Sequence, residues 1–296
     1  MADVSLVSVI IPSYRGGTYL REAIASVQAQ TLAEWELIIV LDGCDDDLAD
    51  VVSGDARIRV FRHEQRGVSV TRNVGIMHAG SDLIAFLDDD DRMLPERLAL
   101  QVDSMEDTDI GLCYSQHRYI DADGEIIAQG RSGPAQYTDL LRGGTDVLLG
   151  SMMVRRSMIL ELGGFNPLLP VAEDLDLIFR IARVSKTAFL PEVLLEYRQH
   201  GDNVWLGTLS DPRELRMIYD LHLWAAERHH EAENIEALKF RLSTLMSGRA
   251  SLALQKAAWA RSNDDLGGRI KYFLLALAAA PRAVTKLTFS SIRRNR

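Results

Sequence analysis

Short apolar runs and helical stripes alternate through the first third of the chain. Val7–Ile11 (VSVII), Leu37–Leu41 (LIIVL) and Leu83–Leu87 (LIAFL) are nearly unbroken stretches of large apolar residues. Such runs suit strands covered on both faces, as in a parallel sheet. Ile58–Arg62 alternates weakly and reads as one more strand. Between them, Leu20, Ile24 and Val27, and later Val70, Val74 and Met77, recur at the spacing of a helix packed on a sheet. Pro95 suits the first turn of a further helix. The alternation predicts βαβ units and a mostly parallel central sheet flanked by helices. Ligands of such sheets bind beyond the carboxyl ends of the strands. Three of those ends carry Pro12-Ser13-Tyr14, Asp42-Gly43 and the run Asp88–Asp91.

Past Tyr114 the pattern changes. Asp123-Gly124 between β-like stretches predicts a hairpin. Gly143-Gly144 and Gly163-Gly164 punctuate a loop-rich region around the strand-like Ser151–Val154. A helix is predicted over Asp174–Val184, with Leu175, Ile178 and Ile181/Ala182 as its apolar face. From about Pro212 onward the chain reads as helices, so the expected organisation is an α/β domain over 1–205 and a helical C-terminal extension over 206–296.

Composition narrows the functional classes. A net charge of −9 argues against a general nucleic-acid binder, which needs a basic face. The two cysteines, Cys44 and Cys113, provide neither a disulfide framework nor a CxxC metal site, as suits a reducing, cytoplasmic setting. The N-terminus lacks the basic start of a signal peptide. The longest apolar run, Tyr272–Ala280, falls far short of the ~20 residues that span a bilayer. Arg269–Arg296 carries seven Lys/Arg and no acid. That tail is either a solvated helix end or a peripheral contact with an anionic membrane surface.

Each candidate group carries two readings. Four adjacent carboxylates, Asp88–Asp91, repel one another unless a cation compensates. At a strand end they form either an acidic surface turn or an oxygen site for Mg2+ or Mn2+. Asp42 is a turn or helix-cap residue, or an acceptor for a nucleobase N–H beside a glycine that permits close approach. Arg72 is a surface residue of its helix or a counter-charge for phosphates. Glu173 and Asp174 open a predicted helix, where carboxylates complement the dipole, or one of them is a general base toward a hydroxyl. His200 is a satisfied surface residue, or a group that completes a metal shell or touches a diphosphate.

Taken in order, VSVIIPSYRGGTYLREAIASVQAQT (Val7–Thr31), ELIIVLDG (Glu36–Gly43), GVSVTRNVGI (Gly67–Ile76), IAFLDDDD (Ile84–Asp91), LGGF (Leu162–Phe165), AEDLDL (Ala172–Leu177) and YRQHGDN (Tyr197–Asn203) resemble the family 2 glycosyltransferases, which have the GT-A fold. The likeness covers about the first 205 residues. It implies inverting, metal-dependent transfer from a UDP-, GDP- or dTDP-sugar to an acceptor hydroxyl, with Mg2+ or Mn2+ as cofactor. It further implies a saccharide or lipid-linked acceptor in cell-surface polysaccharide or glycolipid assembly. By the same resemblance, Pro12, Ser13, Tyr14 and Asp42 line the nucleobase and ribose pocket, and Arg72 lies near the base or phosphates. Asp88 faces the ribose or donor sugar, Asp89 fills the variable position of a DxD motif, and Asp90 binds the metal. Asp174 matches the catalytic base with Glu173 in support, and His200 matches a position that touches metal or diphosphate. Gly163, Gly164 and Phe165 would help form the acceptor side.

The likeness has departures. Leu41-Asp42-Gly43-Cys44 stands where the family often has Asp-Asp-Gly-Ser, which leaves nucleotide preference open. Neither a QxxRW motif nor spanning helices are found, which favours one sugar per encounter. Two rival readings remain. One is a sugar nucleotidyltransferase, of whose phosphate loop Arg15-Gly16-Gly17-Thr18 is a faint shadow. The other is a nucleotide-sugar-binding relative without catalysis. A dehydrogenase is disfavoured because no GxGxxG follows the first strand.

Overall fold

The computed structural model describes residues 5–52, 54–169, 172–200 and 212–245. Its contacts divide the chain into two units, Met1–Ile218 and Tyr219–Arg296. The boundary expected at 205/206, Gly201–Asn203 and the basic segment Arg269–Arg296 lie outside the described residues.

The first unit opens as its apolar pattern predicts. Strands β1 (Val7–Ser13), β2 (Trp35–Asp42), β3 (Ile58–His63) and β4 (Leu83–Phe86) pair in parallel in the order β3-β2-β1-β4. Every residue of β1 is buried, which is why its sequence is a run rather than an alternation. The β1–β4 register ends at Ile10↔Phe86, so Pro12 lies past that ladder, where its missing N–H is tolerated. The crossovers carry α1 (Thr18–Gln28), a short α2 (Ala49–Val52) and α3 (Val68–His78).

Helix α1 buries Leu20, Ala23, Ile24 and Val27, the predicted stripe with one alanine added. Helix α3 forms where its stripe predicts but turns a different face inward. Met77 is exposed and Val70 and Val74 are only half-buried, while Ser69, Thr71, Arg72, Gly75 and Ile76 are buried. Gly75 allows that contact, because a Cβ there would lie 2.5 Å from Ile10 Cγ2 of β1. Arg72 is therefore not the surface residue that the apolar stripe would make it.

Beyond β4 come β5 (Arg92–Met93), α4 (Arg97–Ser104), β6 (Ile110–Ile120), β7 (Ile126–Gln129), α5 (Tyr137–Arg142), β8 (Met152–Arg155), α6 (Arg156–Glu161), α7 (Glu173–Val184) and β9 (Lys186–Arg198). The full order is β3-β2-β1-β4-β8-β6-β9-β5, with β7 on β6. The mostly parallel arrangement holds from β3 to β4 and gives way to a mixed sheet. β8 runs antiparallel to β4 and β6, β5 antiparallel to β9, and β6 parallel to β9. Connection length explains the change. β6 and β7 are joined by a tight turn, in which Asp121 Oδ1 accepts from the Asp123 and Glu125 amides, and such neighbours pair antiparallel. β6 and β9 are separated by a long crossover containing α5, α6 and α7 and can run parallel. Helix α7 buries Leu177, Ile178, Phe179, Ile181 and Ala182, with Leu175 half-buried.

A helix α8 (Pro212–Arg228) and another at 232–245 follow, with Ala226, Ala237 and Leu238 buried within the second unit. Among the described residues no helix is long and apolar enough to cross a membrane.

Candidate active site

The carboxyl ends of β1, β2 and β4 converge, as the topology requires. At the end of β1, Ser13 Oγ accepts the Gly16 N–H at 3.1 Å and donates to Asp89, while Tyr14 is exposed. At the end of β2, the buried Asp42 accepts the Arg66 N–H on Oδ1 at 2.7 Å and the Gly67 N–H on Oδ2 at 3.0 Å. Gly67 is the N-cap of α3, in the left-handed region at φ 89°. Asp42 thus holds the start of α3, and each oxygen keeps capacity for a second donor. Beside it opens a cleft of about 450 Å³ lined by Gly43, Cys44, Asp45, Arg62, His63 and Gln65 among others.

The four aspartates after β4 have four different surroundings. Asp88 Oδ1 accepts from Arg72 Nη2 at 2.8 Å. Asp89 accepts from Ser13. Asp90 Oδ2 lies 3.0 Å from His200 Nε2. Asp91 is 1% exposed and accepts the Arg198 N–H at 2.9 Å, with Oδ2 lacking a partner among the described residues. This is no simple acidic surface turn. Burial, followed by the repulsion of neighbouring carboxylates, lifts Asp89 to about 6 and holds Asp90 and Asp91 above the usual carboxylate range.

Arg72 links this run to α7. Its guanidinium reaches Asp88 on one side and Glu173 Oε1 at 2.5 Å on the other, with Phe165 5.4 Å below the guanidinium carbon. Burial disfavours the charge of Arg72, but Asp88 and Glu173 together outweigh it and raise its pKa. Next to Glu173, Asp174 is half-buried and accepts the Leu175 N–H at 2.7 Å. Burial first, then the Glu173 charge, push Asp174 up to about 6. The preceding Ala172 occupies left-handed backbone at φ 56°, a strain on the order of 1–3 kcal/mol in a non-glycine residue that surrounding structure must hold.

The Leu162–Phe165 loop braces α3 against α7. The Asn73 side-chain amide exchanges two 2.8 Å hydrogen bonds with the Phe165 backbone. From α7, Arg180 donates to the carbonyls of Leu162 and Gly164, each at 2.8 Å. Gly164 has φ 72°, and a Cβ there would lie 2.5 Å from Asn73 Oδ1, so only glycine fits this close approach.

The structure thus brings together Ser13, Arg72, Asp88, Asp89, Asp90, Glu173, Asp174 and His200. Pro12 is packed in the sheet, and Tyr14 and Asp42 mark the neighbouring strand ends. Sequence reasoning missed Asn73, Arg180 and Arg198 as the residues that brace the site. For Arg198 a signal existed: it alternates with His200 at i, i+2, the spacing of residues on one strand face. As a metal site, Asp90 and His200 offer two donors. Among the described residues no three His, Cys, Asp or Glu side chains converge to hold an ion. That donor set fits an ion bound by few protein groups and completed by phosphate oxygens and water.

A parallel half-sheet with polar strand ends, joined to a mixed half that returns a histidine and a helix N-terminus to the same edge, is the GT-A type of α/β fold. Residues 8–163 match the model of glycosyl transferase family 2, and the chain belongs to that family. An uncharacterised glycosyltransferase of Rickettsia conorii is 29% identical over 272 residues, covering 88% of this chain and 43% of its own length. Chondroitin synthase of Pasteurella multocida is 26% identical over 220 residues, covering 73% of this chain and 23% of its own length. The chain therefore spans less than half of these relatives. Among solved structures, S. aureus TarS 1–349 superposes with a TM-score of 0.67 at 16% identity, covering 98% of this chain and 92% of that one. The same protein in complex with UDP-GlcNAc gives a TM-score of 0.62 at 16% identity, over 90% of each chain.

Proposed function

We propose that this chain transfers a sugar from a nucleoside-diphosphate sugar to an acceptor hydroxyl with inversion at the anomeric carbon. The observation that carries the reading is Arg72, which holds Asp88 and Glu173 on either side and so sets the strand-end acidic run at a fixed distance from Asp174. A carboxylate near pKa 6 is suited to take a proton at neutral pH. Asp174 accepts the acceptor's hydroxyl proton as that oxygen forms its bond to the anomeric carbon. The bond from that carbon to the diphosphate oxygen breaks on the opposite face, and the nucleoside diphosphate departs with the electron pair. Glu173 supports the base by fixing Arg72.

On the donor side, Pro12, Ser13, Tyr14 and Asp42 would border the nucleoside, with Arg72, Asp88 and Asp89 toward the ribose and phosphates. Asp90 and His200, with Asp88 beside them, would hold Mg2+ or Mn2+, which when bound neutralises charge on the diphosphate. Of the UDP-, GDP- and dTDP-sugars, the UDP class is favoured by the likeness to TarS, whose structure contains UDP-GlcNAc. The likeness to relatives named as chondroitin and hyaluronan synthases supports a saccharide acceptor, and the family resemblance of the sequence supports a lipid-linked one. A cytoplasmic location is proposed from the cysteine usage, and contact of the basic tail with the inner face of a membrane from its charge. Deleting Arg282–Arg296 should then weaken binding to anionic liposomes and spare donor turnover.

The test is a thermal-shift screen of UDP-, GDP- and dTDP-sugars with Mn2+, Mg2+ or EDTA, since a ligand of the native state raises apparent stability. One nucleotide class should stabilise the protein in a metal-dependent way. That shift should vanish in Asp90→Ala and persist in Asp174→Asn, which should lack turnover. No shift with any donor would remove the basis of the proposal.

A further inference from the structure

The Arg198 side chain is 1% exposed and touches three separate parts of the first unit: the acidic run, the β6–β7 turn and α1. Its Nε donates to the Asp90 carbonyl at 2.9 Å. Nη1 donates to the carbonyls of Asp121 and Ala122, at 3.3 and 3.0 Å, in the β6–β7 turn. Nη2 pairs with Glu22 Oε2 of α1 at 2.5 Å. Its guanidinium carbon stands 4.4 Å from the centre of the Tyr19 ring. Tyr19 in turn donates its hydroxyl to the Ala122 carbonyl at 3.3 Å, and its ring centre lies 5.2 Å from that of His200. One guanidinium therefore holds the backbone of Asp90 and shares an aromatic ring with His200, while the side chains of those two residues meet at 3.0 Å.

We infer that Arg198 is a positioning residue for the Asp90–His200 pair, fixing one partner through its carbonyl and the other through Tyr19. The inference rests on the proposal that this pair receives a divalent cation. The physical reason is the guanidinium's shape. A planar fork with five N–H donors can serve three carbonyls and a carboxylate while its face lies on a ring; an ammonium has three donors and no face. Arg198→Lys therefore keeps the charge next to Glu22 and loses the clamp. Outer-shell partners of this kind tune metal affinity without touching the metal.

The comparison variant is Arg118→Lys. Arg118 is likewise an arginine paired with a carboxylate, though only partly buried; its partner Glu196 keeps Arg92 at 2.7 Å as a second partner. It does not bond Asp90 or its backbone. The experiment measures Mn2+ affinity in the presence of UDP, and UDP affinity in EDTA, for the full chain and both variants. Arg198→Lys is expected to weaken Mn2+ binding by about 10- to 100-fold and leave UDP affinity in EDTA unchanged. Arg118→Lys is expected to match wild type on both. Unchanged Mn2+ affinity in Arg198→Lys overturns the inference. So does an equal loss in Arg118→Lys, or a parallel loss of UDP affinity in EDTA, because either signals general loosening. If Arg198→Lys does not fold, Tyr19→Leu removes the shared ring with every charge still paired; it should show a smaller loss of Mn2+ affinity, and wild-type affinity there counts against the inference. A wild type that binds no Mn2+ with UDP, GDP or dTDP fails the metal proposal itself, which is a separate result.

Discussion

Helices α1 and α3 are built alike and do different work. Each has eleven residues, and each starts at a glycine N-cap with φ near 90°. Each cap amide donates to an aspartate elsewhere in the chain: Gly17 to Asp46 at 2.8 Å, Gly67 to Asp42 at 3.0 Å. Both cross between parallel strands. Yet α1 buries an apolar stripe, and α3 buries Ser69, Thr71 and Arg72, with Gly75 and Ile76 its only fully buried apolar residues. The first helix secures the sheet. The second gives up hydrophobic burial to place a cation between Asp88 and Glu173, and the carboxylates on either side compensate the cost of burying it.

The sharpest way to break this contrast is to remove the charge. Arg72→Met leaves Glu173 buried without its partner, and loss of one member of a buried pair costs about 3–5 kcal/mol. The lower end, about 3 kcal/mol, is expected here because Asp88 keeps 33% of its side chain in water. Nucleoside diphosphate release should fall by about a hundredfold or more, since a preorganised charge is lost from the site. Urea denaturation and a turnover assay read the two effects. Adding Glu173→Leu should restore much of the stability and none of the turnover; recovered turnover would mean that Arg72 only fills space.

The matching change in α1 is Ile24→Ala. Ile24 is fully buried, and such truncations cost about 2–5 kcal/mol. Stability should thus fall about as far as in Arg72→Met, whereas turnover measured well below the melting temperature should stay near wild type. If turnover drops equally in both variants, the division between a packing helix and a site helix is wrong.

That division also marks how far the sequence could be read. β1, β2 and β4 were legible because a strand buried on both faces is apolar throughout, and α1 because its inward face follows the helical period. The inward face of α3 was not, because Val70, Val74 and Met77 offer the better apolar stripe and Arg72 is buried only in the company of Asp88 and Glu173, the latter 101 residues away. Asp42 was open between cap and ligand readings for the same reason: its amide partners exist only once α3 docks. The clamp at Arg198 depends on Glu22, 176 residues distant, and no local pattern announces it. Residues that packed against a layer were visible; residues that satisfied another residue's charge were not.

A smaller effect tests the steric half of the contrast. Gly75→Ala places a methyl 2.5 Å from Ile10 Cγ2, so α3 must lift from β1 or Ile10 must turn. Overpacking costs about 1–3 kcal/mol, offset by up to about 1 kcal/mol of helix propensity. A net loss of about 1 kcal/mol in thermal or urea melts is expected. Stabilisation would show that α3 is not pressed on the sheet by its glycine face.

The smallest effect expected is a shift in pH dependence that carries the charge of the α3 bridge to the base on α7. Asp174 works as a base only when deprotonated, so turnover should fall as pH drops through about 6, where burial and the Glu173 charge have placed it. Glu173→Gln removes a neighbouring negative charge. Deprotonation of Asp174 then becomes easier, and the acid limb should move to lower pH. Arg72 acts in the opposite sense, since its positive charge lowers the Asp174 pKa; Arg72→Met should move the limb of any residual turnover to higher pH. Profiles of kcat/KM against pH for the three proteins check the signs. Opposite displacements in the two variants would tie the buried face of α3 to the proton acceptor. A limb that stays in place in both would mean that the group titrating near 6 is not Asp174, and Asp89, lifted to about 6 beside Ser13, would be the next to test.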